Sequence, residues 1–284
     1  MSGNHVGYNT QVERFTILNN QLIDQNIQTV NDTTYKPLSY AQADVAVVGD
    51  NSYSAYTGPV SGERWRLDFS PTAGTLTFNT VLADYRRYFF AQPFTFAVRG
   101  MHYGRYGRDA ENYLRLPPIY LGDETLIRGY GYGSFDGGEC SAGGNSQTCP
   151  VIDRMFGSRV GVFNAELRIP LFGSQEFGLL NLPFLPTEIA PFFDGGIAYS
   201  SDQPPSFRWA TGTSANLIPA SCANLPTTGA SARVSCVEHI PVFSAGVSAR
   251  LNILGYMILE IYAAHPFQRP GKGSVIGVQL APGW

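Results

Sequence analysis

Charge is scarce in this 284-residue chain: Asp, Glu, Lys and Arg make up 14% of it, against about 25% in an average soluble domain. Long hydrophobic runs are missing as well. No stretch approaches the ~18 uncharged apolar residues of a membrane helix, which excludes a helical membrane protein. Met1–Arg14 (MSGNHVGYNTQVER) does not read as a secretory signal, having neither a basic start nor an apolar centre. Net charge is only -3, so nothing draws the chain towards nucleic acid. Internal repeats, heptads and helical periodicity are also lacking. Aromatics, in contrast, are plentiful: 16 Tyr, 18 Phe and 3 Trp, too many for a disordered chain. The balance describes a β-rich protein, either soluble or a membrane barrel.

Four cysteines fall into two local pairs, Cys140 with Cys149 and Cys222 with Cys236, each in a stretch of Gly, Ser, Ala, Asn and Thr that reads as loop. The spacings do not fit paired CxxC zinc sites, and His239 alone lies near a cysteine at ligand spacing. Two loop disulfides are the expected arrangement; free thiols and a metal site are the alternatives. Local disulfides need an oxidising compartment. With no leader in sight, the chain is therefore expected to be a piece from inside a longer secreted one.

Alternation is the dominant pattern. Phe163, Ala165, Leu167 and Ile169 alternate with Asn164, Glu166 and Arg168; Ile189, Pro191, Phe193 and Ile197 alternate with Glu188 and Asp194; Phe243, Ala245, Val247 and Leu251 alternate with Ser244, Ser248 and Arg250; and Trp65, Leu67 and Phe69 with Arg64, Arg66 and Asp68. Period 2 with one apolar and one polar face predicts strands. Further strands are expected at 45–49, 75–90, 93–103, 256–266 and 273–280, with weaker candidates at 11–19 and 22–30. That makes ten or eleven, many of them near the 9–11 residues a tilted strand needs to cross a bilayer. Hairpins alternate sides, so the long segments 104–157 and 201–239, each with a cysteine pair, share one side. The segment 171–187 and the tight 253–255 turn share the other. Long loops on one side and shorter turns on the other are the outer-membrane barrel pattern. A soluble sandwich or lipocalin-like barrel would alternate in the same way, with its apolar face as core.

Three motifs narrow the choice. Ile127-Arg128-Gly129-Tyr130, in GDETLIRGYGYGSF, resembles the [VI]-R-G-[FY] signature of the BamA/TamA superfamily of outer-membrane barrels, the bacterial surface antigen proteins. Phe192-Phe193-Asp194-Gly195-Gly196 is similar to that family's F-x-D-x-G strand, and Gly161 to Glu166 to the preceding strand with its G-x-x-x-x-E spacing. The likeness spans residues 43–284. LADYRRYFF, FSAGVSARLN and PFQRPGKG resemble the branch in which a barrel follows a TolB-like propeller.

The resemblance implies an all-β fold, an antiparallel transmembrane barrel of about sixteen strands. Residues 43–284 would form its C-terminal part, and residues 1–42 early strands or a connector. It implies that the loop bearing Arg128, Gly129 and Tyr130 folds into the lumen, where the guanidinium pairs with Glu166 and Asp194, while Phe192, Asp194 and Gly196 supply the strand motif. The aromatic Trp284 stands where relatives carry an assembly signal, but Ala281-Pro282-Gly283 precede it, and Pro cannot donate to a strand ladder. The signal could instead lie in 273–280. By the same resemblance the protein belongs in the bacterial outer membrane and takes part in polypeptide insertion or translocation. Its partners would be membrane lipid, unfolded outer-membrane clients and a periplasmic domain of the same chain. Rival readings are a membrane anchor for that domain and a passive pore or receptor. No H-E-x-x-H, G-x-S-x-G, P-loop or G-x-G-x-x-G motif occurs. Neither an enzyme nor a cofactor is expected.

Overall fold

The computed structural model describes residues 2–6, 9–18, 21–31, 38–141, 149–174, 178–182, 185–212, 237–253 and 255–280. Strands dominate them: β1 (Ser2–Val6), β2 (Asn9–Leu18), β3 (Gln21–Asn31), β4 (Leu38–Gln42), β5 (Val45–Asp50), β6 (Tyr53–Ser54), β7 (Pro59–Gly74), β8 (Phe78–Ala91), β9 (Phe94–Tyr106), β10 (Ile119–Tyr120), β11 (Phe156–Gly157), β12 (Arg159–Gly173), β13 (Leu180–Asn181), β14 (Thr187–Tyr199), β15 (Val242–Ile253), β16 (Met257–Pro266) and β17 (Val275–Leu280). Two short helices, α1 (Gly137–Ser141) and α2 (Pro150–Asp153), interrupt the longest connection.

One large sheet runs in the order β1-β4-β7-β8-β9-β12-β14-β15-β16-β17, with β5 and β6 also against β7 and β13 beside β12. From β7 onwards each strand pairs antiparallel with the next long strand in the chain. The fold is therefore all-β and mostly antiparallel, the short β13 alone among the described strands pairing parallel, with β12. Among the described residues, no pairing joins β17 back to β1. Strand positions follow the alternation closely, with two departures. β7 extends well beyond the alternating core at 63–70, running through Pro71, and β1 and β4 form on short, mostly polar sequences whose pattern gives no strand signal.

The two faces of the sheet are inverted relative to a water-soluble domain. On β12 the buried residues are Asn164, Glu166 and Arg168, while Phe163 is 50% and Leu167 43% exposed. β15 buries Ser244, Ser248 and Arg250 and exposes Val247; β16 buries Glu260 and exposes Ile261. β9 buries Arg99 and exposes Phe94 and Phe96. In an ordinary domain, charged residues are the ones almost never buried.

What covers the polar face is the connection between β9 and β12. Leu121, Ile127, Tyr130 and Met155 from it pack against Val160, Val162, Ala198 and Val242 of the sheet and its flanks. The turn at 51–58 tucks in from the opposite end. There Thr57 Oγ1 donates to Glu188 Oε2 at 2.8 Å, and Arg168 Nη1 donates to the Pro59 carbonyl at 2.9 Å.

Candidate functional site

A buried ion cluster occupies the polar face. Strand register builds it, because residues directly opposite each other across neighbouring strands lie within side-chain reach. Asn164 stands opposite Asp194, Glu188 opposite Arg250, and Arg250 opposite Glu260. Alternating polar residues of four strands, β12, β14, β15 and β16, thus converge on one region, into which the β9–β12 connection inserts Arg128.

Arg128 is 3% exposed and fully engaged. Its Nε donates to Asp194 Oδ2 at 2.8 Å and its Nη2 to Asp194 Oδ1 at 2.9 Å, a bidentate pair, and its backbone N–H also reaches Oδ2 at 3.2 Å. Nη1 lies 2.8 Å from Glu166 Oε1 and 3.0 Å from Glu260 Oε1. The guanidinium carbon sits 3.5 Å from the centre of the Phe192 ring, a stacking available to Arg and not to Lys. Asn164 Nδ2 donates to Asp194 Oδ1 at 2.9 Å and to the Leu126 carbonyl at 2.8 Å, fixing carboxylate and loop together.

The signature glycines answer to close approach. Gly129 has φ +88°, and a Cβ there would stand 3.0 Å from Ala264 Cβ on β16; both conditions favour glycine. At Gly196 a Cβ would fall 2.5 Å from Ile127 Cδ1, so this strand glycine makes the socket for the residue before Arg128. Tyr130 is fully buried; its hydroxyl donates to the Phe243 carbonyl at 3.1 Å and accepts from the Gln268 N–H at 3.2 Å.

Arg250 is a second hub, with Nη2 2.7 Å from Glu166, Nη1 3.3 Å from Glu188 and Nε 3.4 Å from Glu260. Arg168 Nε lies 3.1 Å from Glu166 Oε2. Three guanidiniums thus face Glu166, Glu188, Asp194 and Glu260, and each of the four carboxylates lies within ion-pair distance of at least one of them. The network is continuous from Asp194 and Arg128 through Glu166 and Arg250 to Glu188 and Thr57. It links the long connection at one end of the sheet to the 51–58 turn at the other.

A further lock went unread in the sequence. Arg269, in the PFQRPGKG stretch between β16 and β17, is buried and uses all five N–H groups. Nε and Nη2 donate to the two oxygens of Glu139 at 2.8 and 2.7 Å, Nη1 to the Gly129 carbonyl at 2.7 Å and Ser134 Oγ at 2.8 Å, and Nη2 also to the Ser134 carbonyl at 2.5 Å. Beside Glu139, Cys140 is joined to Cys149 in a disulfide. Cys222, Cys236 and Trp284 lie outside the described residues. Among the described residues no group of His, Cys, Asp and Glu is arranged to hold a metal. In comparisons with known proteins, no protein-family model matches the chain and no curated protein matches it.

Proposed function

We propose that this chain is the C-terminal part of a bacterial outer-membrane β-barrel of the BamA/TamA type, working in outer-membrane protein insertion or polypeptide translocation. The observation that carries the bilayer part is the inverted sheet. Withdrawing one Phe or Leu side chain from water is worth ~1.5–3 kcal/mol. An outward face bearing Phe89, Phe94, Phe96, Phe163, Leu167, Val247 and Ile261 therefore favours lipid over water, and a face of Glu, Asp and Arg favours a lumen. The membrane would also accept such strands only if every edge were paired, which is why further strands are part of the reading.

The insertion or translocation part rests on the motif likeness and on the tucked loop. Arg128 and its three carboxylates hold the Ile127–Tyr130 turn deep within the sheet, and Thr57 and Pro59 enter from the opposite end. An interior entered from both ends, with a cavity of about 640 Å³ left between the two segments, argues against a wide passive pore. Depleting the protein and quantifying other outer-membrane proteins tests the activity: a general loss is expected, and an unchanged profile would leave the barrel as an anchor for a periplasmic domain.

A further inference from the structure

We propose that the outward face carries a binding site for one net-anionic phospholipid, its acyl chain lying over Gly100 and Gly161 and its anionic headgroup at Arg159. The inference rests on the bilayer reading above and goes beyond it to a defined place and headgroup. An apolar groove of about 570 Å³ crosses β9, β12 and β14, walled by Phe163, Ile197, Phe207 and Phe243. Its floor comes from register: Gly100 pairs with Phe163 and Phe163 with Gly195, while His102 pairs with Gly161 and Gly161 with Ile197.

Glycine weakens a strand interior and marks places where something else approaches the backbone closely. At Gly100 a Cβ would meet nothing within 4 Å, and at Gly161 only the Ile197 methyl at 3.7 Å. Among the described residues, nothing demands glycine at either position. The space they keep open is accounted for by an occupant from outside, and an acyl chain matches the apolar walls.

One outward position above Gly161 stands Arg159, packed over Gly104 between Tyr106 and Tyr199, whose ring centres lie 4.6 and 5.8 Å from the guanidinium carbon. Its Nη2 donates to Ser201 Oγ at 2.9 Å and lies 3.6 Å from Glu111, while its Nε is buried with no hydrogen-bond partner. His102 completes the cluster, Nε2 2.6 Å from the Tyr106 hydroxyl. A cation and tyrosines at the rim of an apolar groove are the arrangement that anchors a headgroup at the membrane surface. The Arg159 side chain keeps 18% of its surface open, and that open edge of the guanidinium can make a charge-assisted contact to a phosphate oxygen.

Trp209, whose ring lies 4.9 Å from that of Phe243, reports on the groove. With Trp65→Phe and Trp284→Phe leaving it as the sole tryptophan, its fluorescence is measured in bicelles containing phosphatidylglycerol or phosphatidylcholine with brominated acyl chains. Quenching is expected at about five-fold lower mole fraction of the anionic lipid, the equivalent of one arginine contact. Arg159→Gln should abolish that preference, and Gly100→Leu, whose Cβ meets no described atom within 4 Å, should weaken quenching by both lipids. Quenching that is blind to headgroup, or unchanged by Arg159→Gln and Gly100→Leu, would overturn the site and leave the bilayer reading intact. No quenching by either lipid would overturn both.

Discussion

Arg128 and Asp194, 66 residues apart in the sequence, share two parallel hydrogen bonds of 2.8 and 2.9 Å with both side chains out of solvent. The pair ties an irregular connection to the middle of a strand. Its strength depends on the planar fork of the guanidinium matching the two carboxylate oxygens. Breaking a buried pair by removing one partner typically costs about 3–5 kcal/mol, because the other charge is left uncompensated. Arg128→Ala should therefore expose 122–135 to protease while the strand ladder persists. Arg128→Lys should rescue poorly, Asp194→Asn should resemble Arg128→Ala, and the double mutant should be little worse than either. Limited proteolysis of the four variants checks this; additive effects would contradict the pair.

Arg250 divides its charge among Glu166, Glu188 and Glu260. Arg250→Met leaves the three carboxylates with Arg128 and Arg168 as the arginines still beside them, so about 3–5 kcal/mol of stability should be lost. Arg64, paired with Asp50 and nearly half exposed, provides the contrast: Arg64→Met should cost less than about 1 kcal/mol. Urea midpoints of the two variants measure the difference.

Arg269 holds the stretch from Gly129 to Glu139 against the β16–β17 connection, and Cys140–Cys149 closes the segment just beyond. Arg269→Ala should free the 129–139 segment while leaving Arg128 paired, so protease sites should open there first. Loss of the disulfide should shift the same segment by no more than about 3 kcal/mol, the chain-entropy value for a loop of this size. Hydrogen exchange of oxidised and reduced protein, with and without Arg269→Ala, separates the two contributions.

His239 is buried beside the Ala198 carbonyl, to which its Nδ1 donates at 2.7 Å. Burial holds its imidazole below the ordinary value of about 6.5. The folded state then binds fewer protons than the unfolded one at mildly acidic pH, so the stabilisation present above about 6.5 is lost as pH falls through the folded value. NMR titration of the ring protons should give a midpoint below 6.5; one at or above it would mean that the imidazole is solvated.

The strands were legible because a period of two survives whichever face meets water: alternation located β12, β14 and β15 to within a few residues, and the further candidates at 45–49, 75–90, 93–103 and 256–266 fall on β5, β8, β9 and β16. β1 and β4 were not, since their few polar residues carry no period and their place comes from pairing with distant chain. Arg128, Glu166 and Asp194 could be singled out from motif spacing. The roles of Arg250 and Glu260 could not, because they arise from register across β14, β15 and β16, which no local window contains. Arg269 was hidden for the same reason: its partners lie about 130 to 140 residues away. The 51–58 turn gave no sign that it enters the polar face, because its anchors are the Thr57 hydroxyl and the Tyr56 and Pro59 carbonyls, whose partners Glu188, Asn252 and Arg168 lie more than 100 residues away.

The central claim is the orientation of the sheet, polar side in and apolar side to lipid, and β12 tests it most directly. Nitroxide labels placed singly at Val162, Phe163, Asn164, Ala165 and Leu167, in membranes from cells producing the protein, report collision with lipid-soluble oxygen and with a water-soluble nickel chelate. The account predicts high oxygen and low nickel accessibility at 163, 165 and 167, and low oxygen accessibility at 162 and 164. Nickel accessibility at 163 and 167 as high as at the exposed Arg108 would contradict it.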